Sequence, residues 1–466
     1  MAGKKRNKTP YLAGTTNLSN YTNFIKKRSV NNSINNQTKA KALRRINDKD
    51  YITTMNMKEF IRGIPKAENH VHLTGCLAPE LAIKIAKRNN IELGSSKFPW
   101  NSVESLKQAY NFTNLKSFLD LFAAVSAVLC HKKDFYDLAT LYCENAYRNN
   151  IRHAELYFGS QLYTSRGISF NTVVNGINQA LSDARKKYNL SVSLILNLEK
   201  DKPVGSERQT ADCNSGFNNI NGATAWRTFK QCLQYNAELA REKNKIIGIG
   251  LASQEIGYPP ELFKEIFETA RENGFFLTSH AGEEGPPEII WDSIKILKCL
   301  RIDHGVKASK DKKLLEFLAT KQTSKEIKKA YQTKYHKIPL TICPLSNYKL
   351  KVFSDPKETN ILTLLDSGVL CTVNSDDPAY FGGNLTDNYL ALIKWLSKNN
   401  KHSRRINIAD IKQLCINGFE ASLLPIAVKD KYIKEVECYF SKYVDHIEKK
   451  FGTKNHQCSL AVKVKT

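Results

Sequence analysis

Eight short apolar, β-branched runs recur between residues 57 and 451, each followed by a stretch with amphipathic helical spacing, and few folds accept that alternation. The runs cover residues 66–73, 151–159, 191–198, 246–251, 275–280, 299–304, 340–345 and 370–375. Strands alternating with helices read as βα units on a parallel sheet. Eight such units predict a closed (β/α)8 TIM barrel rather than an open doubly wound sheet. The chain's 466 residues hold one barrel with room for additions.

The additions are legible as departures from the repeat. Residues 1–56, rich in Asn, Thr, Ser and Lys without hydrophobic periodicity, read as a disordered basic arm. Residues 57–451 carry the barrel, and 452–466 form a short basic tail. Segments 201–225 and 320–337 read as insertions, and 406–451 as two or three amphipathic helices after the last strand.

Charge and cysteine usage narrow the function classes. The formal net charge is +25, and +10 of it falls before residue 51, where twelve Lys and Arg face only Asp48 and Asp50. Such an arm suits weak, salt-sensitive contact with an anionic partner, or serves as a solubilising or targeting extension, since no aromatic stacking pattern accompanies it. The 11 cysteines include no CxxC pair. That excludes a cysteine-type zinc site, including the paired-cysteine site of cytidine deaminases, and argues against a disulfide framework. The cysteines fit a reducing compartment, and with no signal-like or membrane-spanning apolar run the expectation is a cytoplasmic protein.

Chemistry-bearing residues gather at the C-terminal ends of the runs, which in a barrel is the catalytic face. His70 and His72 are two apart on a strand, so both imidazoles point the same way. His280-Ala281-Gly282-Glu283 ends the fifth run, Arg301-Ile302-Asp303-His304-Gly305 the sixth, and Asn374-Ser375-Asp376-Asp377-Pro378 the eighth. Each alone has a structural reading: rim histidines, a strand-to-helix turn with acids at a helix start, a helix cap before proline. Their coincidence at equivalent strand ends favours one nitrogen/oxygen site for zinc with an open position for water.

With Pro65-Lys66-Ala67-Glu68-Asn69-His70-Val71-His72-Leu73, Ser279–Pro287, Cys343-Pro344-Leu345-Ser346-Asn347 and Asn374–Phe381, the chain resembles the adenosine/adenine deaminase family of the amidohydrolase superfamily, from about Ile64 to Tyr389. The resemblance implies one Zn2+ per chain on His70, His72, His280 and Asp376. It implies that Glu283 donates a proton to purine nitrogen 1, that His304 orients or deprotonates water, and that Asp377 bonds nitrogen 7. Gly282 and Thr74 are the other substrate-facing positions. The fourth run continues into Leu251-Ala252-Ser253-Gln254-Glu255, without the lysine that bridges two metals in related amidohydrolases.

Arg152–Phe158, Thr164-Ser165-Arg166-Gly167 and Glu255–Pro260 resemble the adenine branch, so deamination of adenine to hypoxanthine and ammonia is the leading expectation. Thr74, Gly159 and Ala252 stand where that branch usually carries acids. Adenosine and N6-substituted adenines are the alternatives, for a pocket roomier or more neutral than usual. A barrel kept as a binding protein with a basic arm is the rival from another class, and the complete ligand set argues against it.

Overall fold

The computed structural model describes residues 54–206, 224–239, 245–397 and 404–451. The arm up to residue 53, residues 207–223 of the first insertion and the tail from 452 lie outside the described residues. No helix among the described residues is long and apolar enough to cross a membrane.

Eight strands run in chain order around one sheet, every neighbouring pair parallel. They are β1 (Lys66–His72), β2 (Ile151–Gly159), β3 (Ser191–Glu199), β4 (Ile246–Ala252), β5 (Phe276–Ala281), β6 (Arg301–His304), β7 (Leu340–Ile342) and β8 (Cys371–Val373). The barrel closes beyond β8. There the His72 amide donates to the Asp376 carbonyl at 2.8 Å, and the Asp376 amide donates to the His70 carbonyl at 3.2 Å. The TIM barrel expectation therefore holds, with the last strands shorter than the apolar runs. Pro344, which has no amide proton, stops β7 and opens the helix Pro344–Lys349. Asn374 leaves β8 to accept the Asn69 amide through its side chain at 2.8 Å.

Most strands are buried on both faces, as parallel sheets covered by helices require, and read as apolar runs. β1 is the exception, polar in sequence yet buried. Its groups are paired instead: Lys66 Nζ donates to the carbonyls of Ile61 and Ile64 at 2.6 and 2.8 Å. Glu68 accepts from Tyr142 at 2.9 Å and Ser375 at 2.6 Å. Asn69 donates to the Gly418 carbonyl at 2.8 Å. Gly418 lies on the helix Ile408–Ala421 with the site of a Cβ only 3.1 Å from the Ala67 carbonyl, so a small residue lets that helix close on β1. A second helix, Ile426–Phe451, completes the C-terminal addition. The insertion at 320–337 contains one helix, Lys325–Tyr331, pinned by a bridge between Gln322 and His336.

Candidate active site

Three imidazoles and a carboxylate converge where β1, β5 and β8 end. The Nε2 atoms of His70, His72 and His280 lie 3.1–3.2 Å from one another. Asp376 Oδ1 is 3.2 Å from Nε2 of His70 and 3.3 Å from that of His72. A cation centred over the triangle of Nε2 atoms can lie about 2.0 Å from each, the length of a zinc–imidazole bond, with Asp376 Oδ1 on the His70–His72 side.

Proton positions decide whether those corners present lone pairs, and Asp303 sets two of them. Burial opposes ionisation of Asp303, but His280 facing it and the charges of His70 and Arg301 hold it far below the usual carboxylate range. As an ionised acceptor it takes hydrogen bonds from Tyr157 at 2.8 Å, Thr278 at 2.8 Å and Thr341 at 3.1 Å. The Thr341 proton is thereby spent, so Thr341 Oγ1 accepts from Nδ1–H of His70 at 2.9 Å and leaves Nε2 of His70 unprotonated. His280 Nδ1 sits 3.4 Å from Asp303 Oδ2, an ion-pair contact rather than a formed hydrogen bond, and the carboxylate facing it favours the proton on that nitrogen. For His72, Nδ1 lies 3.2 Å from Asn197 Nδ2, while Asn197 Oδ1 is buried without a partner. Turning that carboxamide end for end would give Oδ1 the Nδ1 proton and free the third Nε2. The residues present therefore fit a divalent cation with nitrogen and oxygen ligands.

Three further groups ring the cluster. Glu283 Oε2 is 3.4 Å from His304 Nε2, and Asn347 Nδ2 bridges them, 3.1 Å from His304 Nδ1 and 3.4 Å from Glu283 Oε1. Burial, followed by the charges of Asp376 and Glu255, pushes the Glu283 carboxyl well above its ordinary range. Asp377 is pushed up by burial and by neighbouring Asp376, whereas Asp376 itself is held well below by His70 and His304 against the cost of burial. Crowded carboxyls cannot all ionise, and the one facing the imidazoles does. Burial drives His304 well below the usual imidazole value, so it is neutral.

Backbone strain helps bring these groups together. His304 and Asp376 both have φ of +63°, a left-handed conformation that costs a non-glycine residue about 1–3 kcal/mol. Gly75 clears space for Asp377, whose Oδ1 lies only 2.0 Å from where a Cβ on residue 75 would sit. Glu255, just past β4, accepts the amides of Gly282 at 2.9 Å and Glu283 at 2.8 Å, fixing the turn that carries Glu283.

The cluster opens into a cleft with about 930 Å³ of empty space including its mouth. Leu115, Phe118 and Phe122 of one helix and Phe381 form an apolar wall, opposite Gly159, Glu199 and Ala252. His72, His280, Glu283, His304, Asp376, Asp377 and Thr74 line the cleft, and His70 lies fully buried among the clustered groups. The Thr74 hydroxyl is engaged with Tyr163 at 2.6 Å. Gly282 adjoins the cleft rather than lining it, with its amide given to Glu255. Sequence reasoning missed Asp303, Thr341, Asn197, Asn347 and Glu255. It also missed Glu199, which answers the expected neutral mouth with a carboxylate of its own.

Comparison with known proteins agrees with this site. The adenosine deaminase family model matches residues 65–439. An adenine deaminase of Acinetobacter baylyi is 41% identical over 382 residues, 82% of this chain and 99% of that protein. An adenine deaminase of Stutzerimonas stutzeri is 43% identical over 350 residues, 75% of this chain and 96% of that protein. The crystal structure of an adenine deaminase from Arthrobacter aurescens aligns with a TM-score of 0.66 at 34% identity, covering 81% of this chain and all of that one.

Proposed function

The chain belongs to the adenosine deaminase family, a family of metal-dependent hydrolases acting on cyclic amidine C–N bonds, and on that premise we propose that it converts adenine and water to hypoxanthine and ammonia. The observation that carries this is the convergence of the three Nε2 atoms and Asp376 Oδ1 beside Glu283, His304 and Asp377 at the base of one cleft.

His70, His72, His280 and Asp376 would hold one zinc ion. Bound there, zinc lowers the pKa of water from 15.7 to about 7 and so makes a nucleophile available at neutral pH. Glu283, protonated through its burial, gives its proton to ring nitrogen 1 as the water oxygen adds to C6. The carboxylate that results takes back one proton from the water. The second water proton leaves with the amino group as ammonia, so N1–H and a C6 carbonyl remain and Glu283 is restored.

Asn347 Nδ2 lies 3.1 Å from Nδ1 of neutral His304 while Asn347 Oδ1 is buried without a partner, so the orientation of that carboxamide sets which ring nitrogen carries the proton. His304 thus orients the water or takes its proton. Asp377, also protonated, donates to ring nitrogen 7. The aromatic wall of Phe118, Phe122 and Phe381 suits a flat base.

The nine described cysteines are all unpaired, which supports a cytoplasmic setting. The decisive experiment measures ammonia released by the purified, zinc-loaded chain from adenine, adenosine and N6-methyladenine side by side. Adenine is expected to give the highest kcat/KM. Preference for either other substrate overturns the assignment.

A further inference from the structure

Thr74, Gly159 and Ala252 line the cleft without bringing a carboxylate to it, yet the cleft is not without one there. Glu199 ends β3, between β2 and β4. Across one side Gly159 pairs with Asn197, two residues before Glu199, and across the other Glu199 itself pairs with Ala252. One acid thus stands between two neighbours that carry none.

The two small residues make its room. A Cβ on Gly159 would lie 3.3 Å from Glu199 Oε1, tighter than ordinary contact, so the absence of a side chain at 159 goes with the presence of this one. Gln161 fixes the backbone beneath by accepting the Glu199 amide at 2.8 Å. The Glu199 carboxyl makes no hydrogen bond to another side chain among the described residues, although Lys202 and Asp201 of the following loop are electrostatic neighbours. Burial pushes this carboxyl up to about 7, against the attraction of Lys202. An N–H from a ligand would favour the ionised acceptor.

Its height above the ligand cluster matters most. Asn197, which faces His72 at 3.2 Å, is two residues before Glu199 on the same strand. Residues i and i+2 share a face and stand about 6.6 Å apart. Glu199 therefore lies one layer further out along the strand than Asn197, the residue that faces His72. A ring with C6 at the cluster turns its N3–N9 edge toward that layer.

We propose that Glu199 is the specificity-determining residue of the cleft, accepting the N9–H of a free purine base and discriminating against bases substituted at nitrogen 9. The inference rests on the deaminase reading above and deepens it. A nucleoside has no N9–H to give, and its sugar would occupy the space of the carboxylate.

The test compares kcat/KM for adenine and 9-methyladenine in the zinc-loaded wild-type chain, Glu199→Gln and Glu199→Leu. Wild type should favour adenine. Glu199→Leu should lose about 10- to 100-fold on adenine, the range for a hydrogen bond to a charged group, and little or nothing on 9-methyladenine, so the preference collapses. Glu199→Gln, which keeps an acceptor oxygen, should fall between. An equal loss on both substrates in both variants would reveal a packing role and overturn the proposal, as would an unchanged ratio. Failure of the wild type to release ammonia from adenine would instead sink the deaminase reading itself, and this inference with it.

Discussion

The base of the cleft and its rim are built by opposite rules. At the base, the Nδ1 atoms of His70 and His280 are tied through Thr341 and directly to Asp303, and Asp303 is gripped in turn by Tyr157 and Thr278. Beneath it, buried Arg301 donates to Tyr157 at 2.8 Å and pairs with Glu155. Removing any member leaves a buried polar group unpaired, so the base admits little substitution. At the rim, the positions of Thr74, Gly159 and Ala252 carry no acid, and Glu199 stands on the strand between two of them. Groups that face the cleft, with water or substrate as partners, can be exchanged at modest cost. Chemistry is locked by the first arrangement, and selectivity is left free by the second.

The comparison is broken most directly at the corner ligands. His72→Ala should lose the bound metal and at least about 1,000-fold in kcat/KM, since no other group lowers the pKa of water. Full zinc occupancy by metal analysis in that variant would show that the base is not the metal site. Glu283→Gln should keep the metal and lose about 100- to 10,000-fold in kcat, the usual worth of a positioned proton donor. Near-normal turnover with metal retained would remove Glu283 from the reaction.

Asp303→Asn sharpens the contrast, because Asp303 is not among the cluster's four corners. An amide can accept on one side only, so either Thr341 or His280 loses its acceptor and one imidazole is free to take the wrong tautomer. Zinc affinity should fall by about 10- to 100-fold, measured by competition with a chelator. Activity at saturating zinc should be largely recovered. A variant with wild-type zinc affinity would mean that the floor network is only packing.

How far the sequence disclosed these two layers follows from local geometry. Seven of the strands are legible because a parallel sheet buries both faces and writes itself as apolar runs, while β1, polar in sequence, stands outside that reason. His70 and His72 are legible because two imidazoles at i and i+2 share a face. Asp303 escapes the same rule. Alternation would turn Asp303 and His304 to opposite sides, but the +63° φ of His304 brings it back into the site that Asp303 supports from below. Asp376 and Asp377 are adjacent in the same way, with the +63° at Asp376. Positive φ at a histidine or aspartate leaves no compositional mark, as glycine would. Asn197, Asn347 and Thr341 are common residue types whose roles exist only once distant strands meet. Glu199 was hidden by its position in a run that continues without a break into an insertion.

The smallest expected effect lies at Gly159, and it tests the rim from the other side. Its φ is not in the left-handed region, so alanine carries no backbone penalty there. The added Cβ would meet Glu199 Oε1 at 3.3 Å and the Asn197 carbonyl at 3.9 Å. Only the first contact is tight, and it is the far end of a flexible side chain that shifts by a few tenths of an ångström. Gly159→Ala should therefore raise KM for adenine by less than about 10-fold, within the worth of one weakened hydrogen bond, and leave kcat and zinc affinity unchanged. Gly159→Asp should cost more, because a second carboxylate is set against the first and one of the two must take a proton. If Gly159→Ala instead matches Asp303→Asn in lost zinc, the rim is coupled to the base, and the division between a locked floor and an exchangeable mouth fails.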